Sequence, residues 1–282
     1  MIISKSLKNL MFSILLMSMI ISCKTDNPAS SGGKVSTSLK ITASNKSVTV
    51  AINKPSIFDL FMTRALALTP ATIVDSTGAS INLTSSWIVV KEVEFVATET
   101  AGSGEVDGAE VSFNGPFFVN LLSNSPVTLG TGAVSSAGFQ RMKMKLEAAG
   151  GSSLPSGAPS ALSSNSIYIT GTVGANNFTY QSDDGTEYQI GGPSQVAPKD
   201  GGQILLEINF SNIFKQINMS GVTNNEVISS ASRHTGASLC PSIDASAGDI
   251  YTCIRKGLEK HADVGEDDDG SSTLDADESK VK

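Results

Sequence analysis

The hydrophobic pattern changes character several times along the chain. It begins as a mostly apolar run over residues 10–21, interrupted by Ser13 and Ser18, behind a start that carries Lys5 and Lys8. Twelve residues fall short of the roughly 20 that a membrane-spanning helix needs. A short apolar core behind a basic start reads instead as a signal peptide. Residues 24–36 are rich in Ser, Gly, Asn and Pro and have no apolar period, which predicts a flexible tether. From residue 39 the period becomes two. Leu39 and Ile41, then Val48, Val50 and Ile52, alternate with polar positions around Ser44-Asn45-Lys46-Ser47, predicting a hairpin.

One helix interrupts this pattern. Ser56 and Asp59 form a variant capping box, Phe58, Phe61, Met62, Ala65 and Leu66 fall at helical spacing, and Pro70 ends the run. A buried core helix and a partner-docking helix both fit it. Strands then dominate. Trp87, Val89, Val93 and Phe95 are expected on one face of a strand over 87–97. Two strands, 110–113 and 117–122, flank an Asn114-Gly115-Pro116 turn signal. Over 139–147, Met142, Met144 and Leu146 alternate with Arg141, Lys143 and Lys145, as in a sheet wetted on one side. Shorter strands are expected at 166–173, 177–181, 187–190 and 203–210, and exposed loops at 98–108 and 150–165. Near the end, residues 211–218 suggest a helical turn, and Ser246 with Asp249 opens a better helix. In it Ile250, Cys253, Ile254, Gly257, Leu258 and His261 share a face.

The predicted fold class is mainly β: an antiparallel β-sandwich with a short N-terminal helix and a disulfide-pinned C-terminal helix. The expected division is a signal peptide over 1–22, a tether over 23–36, a sandwich over 37–220 and a helical appendage with an acidic tail over 221–282.

The net charge is −7, and eight acids crowd into residues 263–282. With no basic patch or Arg-rich run, nucleic acid is excluded as a partner, because phosphate neutralisation needs clustered Lys and Arg.

The apolar start closes on Ile20-Ile21-Ser22-Cys23, which resembles the lipobox of bacterial lipoproteins. The resemblance implies cleavage before Cys23 and its lipidation, so that the membrane is a partner through the anchor. A non-lipid signal peptide and an uncleaved anchor are the alternatives. Lys24, with no acid at that position, points by analogy to the outer membrane. With Cys23 lipidated, Cys240 and Cys253 remain. In an exported protein such a pair is most simply a disulfide, contributing roughly 3 kcal/mol in the chain-entropy account. Two free thiols, or a metal or redox pair, are the other readings.

Residues 86–95, Ser-Trp-Ile-Val-Val-Lys-Glu-Val-Glu-Phe, are followed by Val119-Asn120-Leu121-Leu122 and by Phe139-Gln140-Arg141-Met142-Lys143-Met144-Lys145-Leu146. This series resembles a group of bacterial envelope lipoproteins with a β-sandwich domain of unassigned function. The resemblance spans roughly residues 70–210. It implies a sandwich and an envelope location, and it transfers no functional residue.

Candidate chemistry is concentrated in the acidic tail. Asp267-x-Asp269-Gly270 matches the middle of an EF-type calcium loop, but Gly265 then stands at the first ligand position and Ala276 at the closing one. A looser calcium site made by Asp267, Asp269 and Asp275 is one reading; a solvated acidic tail is the commoner one. The enzyme reading is poor. His234 and His261 pair with no nucleophile motif, and there is no Gly-x-Ser-x-Gly. Glu92 and Glu94 share a strand face, and a hydrolase would need one of them to meet Asp183 or Asp184. The expectation is therefore a non-catalytic binding or structural module with a protein or glycan partner. The alternatives are a calcium-dependent adhesin or glycan-binding module, and behind it a hydrolase of envelope polymers.

Overall fold

A computed structural model describes residues 33–44, 73–97 and 111–282. The expected signal segment with Cys23, the expected helix over 57–66, the expected second hairpin strand with Val48, Val50 and Ile52, and the expected loop over 98–108 lie outside the described residues.

The fold is mainly β. Its strands are β1 (Lys34–Ser44), β2 (Ile73–Val74), β3 (Ser80–Ala97), β4 (Val111–Asn120), β5 (Val127–Ser135), β6 (Phe139–Leu146), β7 (Ile167–Val173), β8 (Asn176–Ser182), β9 (Thr186–Val196), β10 (Gln203–Asn209), β11 (Glu226–Ile228) and β12 (Ala262–Glu266). Two helices, α1 (Phe210–Phe214) and α2 (Ile250–Lys260), are added to them. The smaller sheet has the order β12-β10-β1-β5. The larger runs β11-β8-β7-β3-β6-β9, with β2 and β4 also paired to β3. Most pairs are antiparallel; β1–β10 and β8–β11 are parallel. Leu39, Ile41, Ile204 and Leu206 from the smaller sheet join Val93, Phe95, Met142, Met144 and Ile190 from the larger in one continuous core.

The eighteen-residue strand β3 organises the larger sheet. Its first half pairs with β7 and its second half with β6, along the same edge. Strands β8 and β9 continue this arrangement, one pairing with β7 and the other with β6. The junction between β6 and β7 falls at Val89, whose N–H donates to the Ser166 carbonyl at 2.8 Å and whose carbonyl accepts from Glu147 N at 3.2 Å.

A bulge between Val90 and Glu92 shifts the register of β3 against both of its neighbours there. An extra residue turns every later side chain to the opposite face. Ile88 and Val90 therefore face the main core before the bulge, and Val93 and Phe95 after it. The expected single face of Trp87, Val89, Val93 and Phe95 is split. Trp87 and Val89 instead lie under the excursion that joins β6 to β7, where Val89 packs with Ala149 and Leu162. This excursion includes a 3-10 turn, Ser160–Ser163, and Leu162 within it is fully buried. The expected exposed loop over 150–165 is thus a cover for a second small core. The Asn114-Gly115-Pro116 turn signal likewise lies inside one strand, β4, opposite the same bulge.

Other boundaries also move. Strand β1 begins at Lys34, inside the expected tether, because Lys34 and Ser36 pair with Ser135 and Ala133. Residues 221–282 are no appendage: they supply β11 and β12, and Gly33–Lys282 is one compact unit. Helix α2 is capped by Asp249, whose carboxylate accepts from Thr252 N, rather than opened by Ser246. Asn209 caps α1 in the same way.

The disulfide is formed between Cys240 and Cys253 and ties α2 to the preceding loop. Ile250, Cys253, Ile254 and Leu258 are buried, as their spacing predicts. Tyr251 stacks on Tyr180 of β8, with ring centroids 5.6 Å apart, and fixes the helix to the larger sheet.

The chain end completes the sheet. Glu266 N donates to the Ser279 carbonyl at 2.9 Å and Val281 N to the Val264 carbonyl at 3.0 Å, while Ser194 N of β9 donates to the Val281 carbonyl at 3.3 Å. Residues 279–281 therefore lie between β12 and β9. Two glycines make the fit: a Cβ at Gly192 would sit 1.9 Å from the Val281 carbonyl oxygen, and one at Gly265 2.5 Å from that of Ser279. The Lys282 ammonium donates to the carbonyls of Glu259, Lys260 and Ala262, satisfying acceptors left open at the end of α2.

If the excursion is part of the packed structure, Leu162→Ala lowers stability by about 2–5 kcal/mol, in line with large-to-small changes at buried sites. Chemical denaturation checks this. A change below about 0.5 kcal/mol would return the segment to the class of tolerated insertions.

Candidate metal centre

Strand β12 delivers the chain to the acidic loop. Asp267 N donates to the Gln203 carbonyl at 3.0 Å, extending the strand by one residue. The backbone then turns outward, with Gly270 at φ 72° and Ser272 at φ 68°. Both lie in the left-handed region, which glycine adopts freely and serine only under local restraint. The restraint at Ser272 is its own N–H, which donates to Asp267 Oδ2 at 3.2 Å. The loop is tied to the sheet by Leu274 N, which donates to Glu207 Oε2 at 2.6 Å.

Within this loop Asp267, Asp269 and Glu278 each offer an oxygen, and these oxygens lie within 4.8 Å of one another. Asp267 and Glu278 are buried and Asp269 is exposed. Glu278 Oε2 accepts from Asp275 N at 2.6 Å and Oε1 from Asp268 N at 3.3 Å. Asp269 Oδ1 accepts from Ser271 N at 2.7 Å. Asp267 Oδ1 is buried and has no hydrogen-bond partner. Burial pushes the Glu278 carboxyl up, and the neighbouring charges of Asp267 and Asp269 add to that shift.

The expected set of Asp267, Asp269 and Asp275 is therefore changed in one member: Glu278 joins the two aspartates. Asp275 contributes its backbone, its N–H to Glu278 and its carbonyl to the Lys280 ammonium at 3.2 Å. The sequence carries the signal for Glu278 in another frame. Counting twelve residues from Asp267 rather than from Gly265 puts Asp267, Asp269, Ser271, Thr273, Asp275 and Glu278 at positions 1, 3, 5, 7, 9 and 12. Those are the ligand positions of the EF-type calcium loop. The glycine usual at position 6 of such loops is replaced by Ser272 in a left-handed conformation. Gly270 at position 4 is what drew the first frame out of register.

The remaining candidates disperse. Glu92 and Glu94 stand in register with Lys145 and Lys143 of β6, the strand that separates β3 from β9. Asp184 accepts from the Tyr251 hydroxyl at 2.6 Å and pairs with Arg255 at 3.3 Å, and Asp183 accepts from Ser230 at 2.7 Å. His234 Nδ1 lies 2.6 Å from Glu226 Oε1. His261 ends α2, its Nε2 buried without a partner. Among the described residues no helix is long and apolar enough to cross a membrane. In comparisons with protein-family models, curated proteins and solved structures, none matches the chain.

Burial, with the charges of Lys260 and Lys282, pushes His261 down to about 4. A histidine whose folded value lies below its ordinary 6.5 contributes stability that is present above 6.5 and lost as pH falls through about 4. An NMR titration of the two ring signals is expected to give His261 a midpoint near 4. A midpoint near 6.5 would contradict its burial.

Proposed function

We propose that this chain is a lipid-anchored protein of the bacterial cell envelope whose β domain acts as a non-catalytic binding or structural module. The observation that carries the reading is the pairing of an N-terminal segment ending in Ile20-Ile21-Ser22-Cys23 with a disulfide, Cys240–Cys253, further along the chain. Disulfides persist in oxidising compartments and are rare in cytosolic proteins, so the bond supports export independently of the leader. Two or more acyl chains on Cys23 would hold the protein stably at a membrane surface, where a single chain holds only marginally. Lys24 favours the outer membrane, and residues 24–32 would serve as a spacer before β1.

A second reading, a calcium-dependent adhesin or glycan-binding module, is favoured by the convergence of Asp267, Asp269 and Glu278. The hydrolase reading has less support, since Asp183 and Asp184 are bonded to Ser230, Tyr251 and Arg255 rather than aligned with Glu92 or Glu94.

Metabolic labelling with palmitate tests the anchor. The wild-type chain is expected to incorporate label and to sediment with outer membranes, and Cys23→Ser is expected to lose both properties. Label retained by Cys23→Ser would reject the lipid anchor. In the same preparations, release of soluble fragments from purified envelope polymers would reject the non-catalytic reading in favour of the hydrolase.

A further inference from the structure

Among the described residues no Lys or Arg lies in ion-pair range of Asp267, Asp269 or Glu278. The neighbouring acids differ: Lys199 lies 3.3 Å from Glu266 and 3.6 Å from Asp268. Asp267 is only 5% exposed, and its Oδ1 has no donor. A buried carboxylate oxygen without a donor or a cation carries its full desolvation penalty. Hard cations relieve such a cost, since calcium takes six to eight oxygens at 2.3–2.6 Å. Oxygens on one such ion are separated by at most about twice that distance, a condition met by the 4.8 Å limit of this cluster.

The position of the cluster matters as much as its composition. Asp267 directly follows β12, and Glu278 directly precedes Ser279, whose carbonyl accepts from Glu266 N. An ion held by both ends of the loop would fasten β12 to the chain end that closes the seam with β9.

We propose that residues 267–278 bind one calcium ion through Asp267, Asp269 and Glu278, with the Ser271 hydroxyl, the Thr273 carbonyl and Asp275 at the remaining ligand positions, and that this ion locks residues 279–281 into the sheet. The inference rests on the loop and is independent of the anchor at Cys23. The protein has a calcium-bound state in which the seam is closed firmly. In its calcium-free state carboxylate repulsion loosens the same segment.

The test uses the full chain in detergent, stripped with chelator and titrated with calcium chloride or with magnesium chloride. Calorimetry is expected to show one calcium ion per chain. At a hundredfold excess over Kd the melting temperature is expected to rise by about 5–10 °C. Hydrogen exchange at Glu266 and Val281 is expected to slow on calcium addition. Glu278→Gln and Asp269→Asn should abolish all three responses, while Asp277→Asn keeps them. Should Glu278→Gln fail to fold, Asp269→Asn, which changes an exposed carboxylate, carries the test. Undiminished calcium binding by Asp269→Asn, no binding by the wild-type chain, or an equal shift with magnesium would each overturn the proposal. Calcium binding with unchanged exchange at Val281 would overturn its structural role.

Discussion

The last residues of the chain hold together parts of the fold that are far apart in sequence. Ser279 and Val281 bond to β12, Val281 also accepts from Ser194 of β9, and Lys282 gathers three carbonyls at the end of α2. Sheets with open edges expose unpaired backbone groups, which invite association with other chains. Here β9 would be the free edge of the larger sheet and β12 that of the smaller one. Residues 279–281 lie between them, and Val281 contributes a fully buried side chain to the main core. Glycines at 192 and 265 are the complementary condition, since any Cβ there would collide with the inserted backbone.

The bulge in β3 decides which of its side chains reach the main core. Alternation alone turns Val90 to the main core and Val89 to the small one, and the extra residue returns Val93 and Phe95 to the main core. The excursion between β6 and β7 covers the outward pair, Trp87 and Val89. Without it, Val89 and part of Trp87 would present an apolar patch on the outer face. The cover is light, a 3-10 turn with one fully buried leucine, and its backbone is tied at both ends by Val89.

Where each face of an element keeps one environment, the sequence is readable. The alternation of Met142, Met144 and Leu146 with Arg141, Lys143 and Lys145 matches strand β6, and the apolar face of α2 matches its spacing. Cysteine count, with the export expected from the N-terminal segment, was enough to pair Cys240 with Cys253. The failures have definite causes. Strand β5 carries Gly130 and Gly132, which weaken any strand signal, yet both make room for the Phe113 ring of β4. Strand β12 is five residues long and contains Asp263 and Gly265, so its pairing with β10 is set by tertiary contacts rather than by its own pattern. The bulge of β3 leaves no mark in composition. In the acidic tail the residue types marked out a carboxylate cluster, but Gly270 suggested a frame that hid Glu278.

Residues 279–281, paired between β12 and β9, leave neither of those edges open to other strands. The most direct test of this account is to end the chain after Glu278 and compare its thermal unfolding with that of the full chain in chelator. Losing a fully buried valine and the backbone bonds of residues 279–281 should lower the melting temperature by about 10 °C or more and expose the β9 edge to self-association. An unchanged melting temperature with a monomeric truncated chain would contradict the claim that the C-terminal residues close the sheet.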